Sequence, residues 1–217
     1  MKKLVLFLSL SLFSFLANAT ELVSLIQTYQ ADRGALGRLY TNRLSGEYFT
    51  RMESFNRDYL KTLNAQNYGA LSEDGKIDYV LFRNYLEKQL AELDLEKRDF
   101  MQIQSVIAFG KPLESFVVSR RRAVQPDAQA LAAQWNQVAQ ALDAQHKALA
   151  TSSKYDSWQK AELAAQAVES LSKVVKESYD FYFDFDPSFT WWMPAPWETL
   201  DTSMKAYAKA LRGHYTN

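Results

Sequence analysis

From Thr20 almost to the C-terminus, apolar residues return every three or four positions, the period that lines one face of an α-helix, and no stretch shows sustained strand-like alternation flanked by turn signals. A chain with this pattern has to bury helical stripes against one another. It also has few places to stop, with only 7 Gly and 5 Pro in 217 residues. Leu22, Leu25, Ile26 and Tyr29 mark a first helix, its end loosened by Gly34 and Gly37. Tyr48, Phe49, Met52, Phe55, Tyr59 and Leu63 mark a second, which runs out over 64–69. Ser72 is placed to cap a long third helix carrying Tyr79, Phe82, Leu86, Leu90, Leu93 and Phe100.

Gly110-Lys111-Pro112 interrupts the pattern, and a short helix follows to about Val124. Pro126 suits a first helical position ahead of the stripe Leu131, Trp135, Val138, Leu142 and Leu149, with 151–154 as the next loop. From Asp156 a further helix carries Ala164, Val168, Leu171, Val175 and Tyr182 and must end before Pro187. The last opens at Pro196, buries Trp197, Leu200, Met204, Tyr207 and Leu211, and stops at Gly213. Its acids, Glu198 and Asp201, come early and its bases, Lys205, Lys209 and Arg212, late, as the helix dipole favours. The expected fold is all-α: an elongated bundle of six or seven helices forming one domain over 20–217.

Residues 1–19 read as an address. Met1-Lys2-Lys3 is a short basic head, Leu4 to Leu16 an apolar run, and Ala17-Asn18-Ala19 a small-x-small cleavage site. The run is too short to span a bilayer, which takes roughly 20 residues. A cleaved signal peptide, a periplasmic or extracellular destination and no stable membrane span are expected. The whole chain balances 25 basic against 25 acidic residues, and loss of Lys2 and Lys3 leaves the mature chain near −2. No nucleic-acid partner is expected of such a surface.

The chemistry is bounded by absences. Without Cys there is no disulfide, thiolate metal site or thiol nucleophile. His146 and His214 are the only histidines and lie in different segments, so the H-E-x-x-H zinc motif cannot form. Asp143-Ala-Gln-His146 is a single acidic-x-x-His beside the Leu142/Leu149 stripe, and His214 reads as a frayed terminus. Ser170-Leu-Ser-Lys173 matches S-x-x-K in letters, but mid-helix and without companion motifs. No catalytic residue and no metal ligand is assigned.

Two clusters remain. Arg120-Arg121-Arg122 is the densest positive charge, readable either as a solvated helix end or as an anion or peptide-carboxylate site. The stretch 181–197 holds eight aromatics in 17 residues, among them Tyr182, Phe189, Trp191 and Trp192, and is either a cleft lining or a buried connection.

The second cluster also carries a resemblance. Tyr182-Phe-Asp-Phe-Asp-Pro-Ser-Phe-Thr-Trp-Trp-Met-Pro-Ala-Pro-Trp-Glu-Thr-Leu200 resembles the YDP-x-F-TWW segment of the bacterial family called domain of unknown function 885. Gly75-Lys-Ile-Asp-Tyr-Val-Leu-Phe-Arg-Asn-Tyr-Leu-Glu87 is similar to that family's D-Y-x-L-L-R-N-x-L-E helix, and Ser119-Arg-Arg-Arg122 to its SRRR segment. The resemblance covers about 45–212 and the N-terminal third of a complete member. Complete members resemble secreted, mostly helical zinc metallopeptidases with an H-E-x-x-x-G-H-H motif far downstream. The resemblance therefore implies a substrate-cleft or scaffold portion without the zinc motif and non-catalytic as given. Zinc is expected only in complete relatives. Arg120, Arg121, Arg122, Tyr182, Phe189, Trp191 and Trp192 are the expected substrate contacts, and the expected partners are a peptide or a C-terminal catalytic domain. Two alternatives stand beside it: a free-standing periplasmic helical binding module, and a complete small enzyme of unknown type.

Overall fold

The structure is a computed structural model that describes residues 22–216; the expected signal peptide lies outside the described residues. Among those residues the chain is all-α, with eight α-helices and no strands. Helix α1 occupies 22–39, followed by α2 (Gly46–Asn64), α3 (Glu73–Met101), α4 (Lys111–Arg121), α5 (Ala128–Leu149), α6 (Trp158–Phe183), α7 (Pro187–Trp192) and α8 (Pro194–Arg212). Short 3-10 turns cover Tyr68–Ala70 and Gln104–Gly110.

The helix starts are chemically marked. Ser45 Oγ accepts from Tyr48 N at α2, Ser72 Oγ from Gly75 N at α3, and Asp127 Oδ1 from Ala130 N at α5. Each satisfies an amide that no helical carbonyl can reach. Asp127 is the cap, so Pro126 stands before the helix and not at its first turn. Gly34 and Gly37 do not end α1, because the segment continues helically through both. The final helix begins at Pro194, two residues before the expected Pro196, since prolines in a first turn lack only amides that would be orphaned anyway.

The chain forms two compact units. The first comprises the described residues up to Arg38 together with Thr50–Glu96. Its core gathers Leu22, Tyr29, Leu63, Tyr79, Phe82 and Leu86. Tyr29 sits among the rings of Phe55, Tyr59 and Phe82 at 5.0–5.3 Å, and its hydroxyl donates to the buried Asn56 Oδ1 at 2.9 Å. Burial raises the Tyr29 phenol well above the ordinary tyrosine range. The phenol of Tyr59 is pushed up to about 12 by burial and by donating to the Asp32 carboxylate at 2.6 Å.

The second unit comprises Leu39–Phe49 and the chain from Lys97 onward. Helix α8 packs on α5 and α6, and α4 on α6. An alanine face on α6 (Ala161, Ala164, Ala165 and Ala167), entirely buried beside Val168 and Leu171, permits close helix approach. Gly110 lets the chain pass close to α6: a Cβ on it would lie 2.3 Å from Leu171 Cδ2 and force that side chain to shift. The C-terminus is not frayed as expected. Tyr155 N donates to His214 O and Thr216 N to Tyr155 O, which buries His214.

Candidate functional site

The arginine run and the aromatic stretch come together in the second unit. Helix α4 ends in a hydrogen-bonded reversal, with Ala123 N donating to Arg120 O and Val124 N to Ser119 O, both at 3.0 Å. This is the two-bond C-terminal motif in which the reversing residue is left-handed. That residue is Ala123, at φ 57°, where glycine is usual. The loop is then tied down twice: Tyr182 Oη donates to Val124 O at 2.9 Å, and Gln125 Nε2 to Asp186 Oδ2 at 2.6 Å.

Asp186 uses its other oxygen to start α7, accepting from Ser188 N and Phe189 N, while Pro187 occupies the first helical position. The stretch after Asp186 is thus a short helix and not a plain connection. Its six residues divide the aromatics between core and water. Phe189 is fully buried against Phe116, Tyr179 and Tyr182, with ring centres 5.3–6.2 Å apart. Trp191 lies about 200° further round the helix axis. It is 82 % exposed, and Trp192 is 41 % exposed. Phe185 is 76 % exposed and meets Phe181 at 5.4 Å.

Of the seven expected contact residues, Tyr182 and Phe189 are core members that hold the loop in place. Trp191, Trp192, Arg121 and Arg122 are exposed. Arg120 is intermediate: its guanidinium lies 4.5 Å from the centre of the Phe181 ring, a cation–π distance. Its Nε is buried without a partner, and burial together with neighbouring Arg121 lowers its pKa. Phe181 and Phe185 are exposed as well, and the sequence could not separate them from buried Phe189 because all belong to one aromatic run.

Elsewhere the geometry argues against a nucleophile. Ser152 Oγ lies 3.0 Å from His214 Nε2, a Ser–His pair invisible in the sequence. However, that same Nε2 lies 3.2 Å from Ser153 O, and a carbonyl only accepts. Nε2 must carry the proton, while Ser152 Oγ donates to Leu149 O at 3.0 Å. The pair is a clamp on the C-terminus, not a base and its alcohol. Ser170 Oγ donates to Asn42 Oδ1 at 3.3 Å, and Lys173 is exposed, so S-x-x-K forms no acid–base unit. His146 is half-buried beside Tyr207. Among the described residues no group of three or more His, Asp or Glu could hold a metal ion, and no helix is long and apolar enough to cross a membrane.

No family model matches the chain, and comparison with curated proteins and with solved structures finds no match either.

Proposed function

We propose that the chain is a helical, non-catalytic binding region of a secreted metallopeptidase-like protein, and that it contributes one wall of a peptide-binding cleft. The observation that carries this reading is that Trp191, Trp192, Phe181 and Phe185 stand exposed along one braced stretch, with Arg120 over the Phe181 ring; these rings, with Arg121 and Arg122, form the binding face of this proposal. Exposed aromatics next to cations suit a peptide with apolar side chains and a free carboxylate. Buried Tyr182 and Phe189 supply the bracing and not the contact. The same face would serve a free-standing periplasmic binding module. The two readings separate on whether the mature natural product shows chelator-sensitive peptidase activity.

The face itself is tested with a fluorescein-labelled peptide rich in Phe and Glu that ends in a free carboxylate, read by anisotropy. Trp191→Ala/Trp192→Ala should weaken binding at least tenfold while leaving the melting temperature within a degree or two, because exposed side chains contribute little to folding. Arg121→Ala/Arg122→Ala should weaken binding and reduce its salt dependence. If the native chain fails to bind the peptide, or binds it equally well after the tryptophan change, the reading is wrong.

A further inference from the structure

A concavity in the second unit lies at the opposite end of α6 from Phe181, where the end of α3 meets the start of α6. It is a groove open to solvent with a volume of about 670 Å³, within the range of about 300–1,000 Å³ usual for small-ligand sites. Trp158 forms part of its wall. This residue follows the Ser157 cap directly and is 59 % exposed, so it contributes little to the core. Three planar polar side chains share the lining: Asp99, Gln102 and Gln159. None of them has a side-chain hydrogen-bond partner among the described residues. By contrast, Glu162, also in the lining, is held by Arg212 and Gln166.

This combination selects a ligand class. An indole face accepts the C–H face of a pyranose ring, and carboxylate and amide groups pair with neighbouring hydroxyls, the amides both donating and accepting. Of the charged lining groups, Asp156 pairs with Lys160 at 3.8 Å and Glu162 with Arg212 at 2.7 Å, which leaves Asp99, an anion, as the unpaired charge among the described residues. That sign disfavours phosphorylated, sulfated or carboxylated ligands. We propose that this cleft binds a short neutral oligosaccharide, with Trp158 as the stacking platform and Asp99, Gln102 and Gln159 as hydroxyl partners.

The test uses the mature chain titrated separately with cellotriose, maltotriose and triacetylchitotriose, followed by saturation-transfer NMR and calorimetry. At least one should bind saturably, with Trp158→Ala weakening it tenfold or more, Trp158→Phe less, and Asp99→Ala and Gln159→Ala several-fold each. The melting temperature of each variant is measured alongside. Trp191→Ala/Trp192→Ala should leave saccharide binding unchanged, which keeps this site distinct from the peptide face. The proposal fails if no trisaccharide binds more tightly than about 10 mM, if a folded Trp158→Ala binds as the native chain does, or if only the Trp191/Trp192 change removes binding.

Discussion

Glu114 shows how burial changes one carboxyl group. It sits on α4 with Oε1 accepting from the buried Asn42 Nδ2 at 3.0 Å, and Asn42 in turn accepts from Ser170. Burial pushes the carboxyl up to about 7; Glu47 adds to the rise, while the Asn42 hydrogen bond and Lys111 oppose it. The folded state therefore holds a proton that the unfolded chain releases near its ordinary value of 4.5. Stability from this group is full below that value and is lost as pH rises to about 7, by an amount on the order of 3 kcal/mol. Glu114→Gln keeps an acceptor for Asn42 without the charge. Urea unfolding should show it more stable than the native chain at pH 8 and no better at pH 4.5; equal stability at pH 8 would contradict the burial argument. Ala123 gives a second case. At φ 57° it carries a left-handed strain of about 1 kcal/mol, so Ala123→Gly should raise the melting temperature by a few degrees. Neither residue was legible in the sequence, because one depends on what covers a side chain and the other on how a helix ends. Arg121 and Arg122 do stand in water, as a helix-end charge run suggests, whereas Arg120 is half-buried over a ring from another helix.

Helices were the most legible level. Three- and four-residue spacing put Trp135, Val138 and Leu142, Val168, Leu171 and Val175, and Leu200, Met204 and Leu211 inward, and all nine are buried. The differences lie at boundaries, where caps and neighbours outweigh pattern. Helix α7 presents no repeated stripe because six residues span under two turns; its Asp186 cap and Pro187 first position are start signals that read equally as a turn before Pro187. The glycines separate what sequence can and cannot assign. Gly37 is exposed and helical, and a methyl group placed on its Cα would have nothing within 4 Å, so Gly37→Ala should stabilise by about 0.5–1 kcal/mol. Gly110 meets the buried Leu171, so Gly110→Ala should destabilise by roughly 1–3 kcal/mol. Chemical denaturation of the two variants should give opposite signs, and two stabilising results would mean that Leu171 moves freely aside.

At the scale of the molecule, each unit has its own core and its own optical signature. All five tryptophans, at 135, 158, 191, 192 and 197, belong to the second unit, while the first is built on tyrosine and phenylalanine rings. Leu86→Ala empties a fully buried position in the first core and should cost about 2–5 kcal/mol there. Far-UV dichroism should then shift to lower denaturant further than tryptophan emission does. Superimposable shifts would show a single cooperative transition instead. The all-α class followed from periodicity alone, since side chains at three and four positions share a face in any α-helix, whatever its partners. Which aromatics meet water, which arginine lies on a ring, that His214 is clamped by Ser152 and Ser153, and that Asp99 shares a cleft with Trp158 depend on residues far apart in the chain. Those outcomes come from side chains competing for the same interior volume, and only the packed tertiary structure decides them.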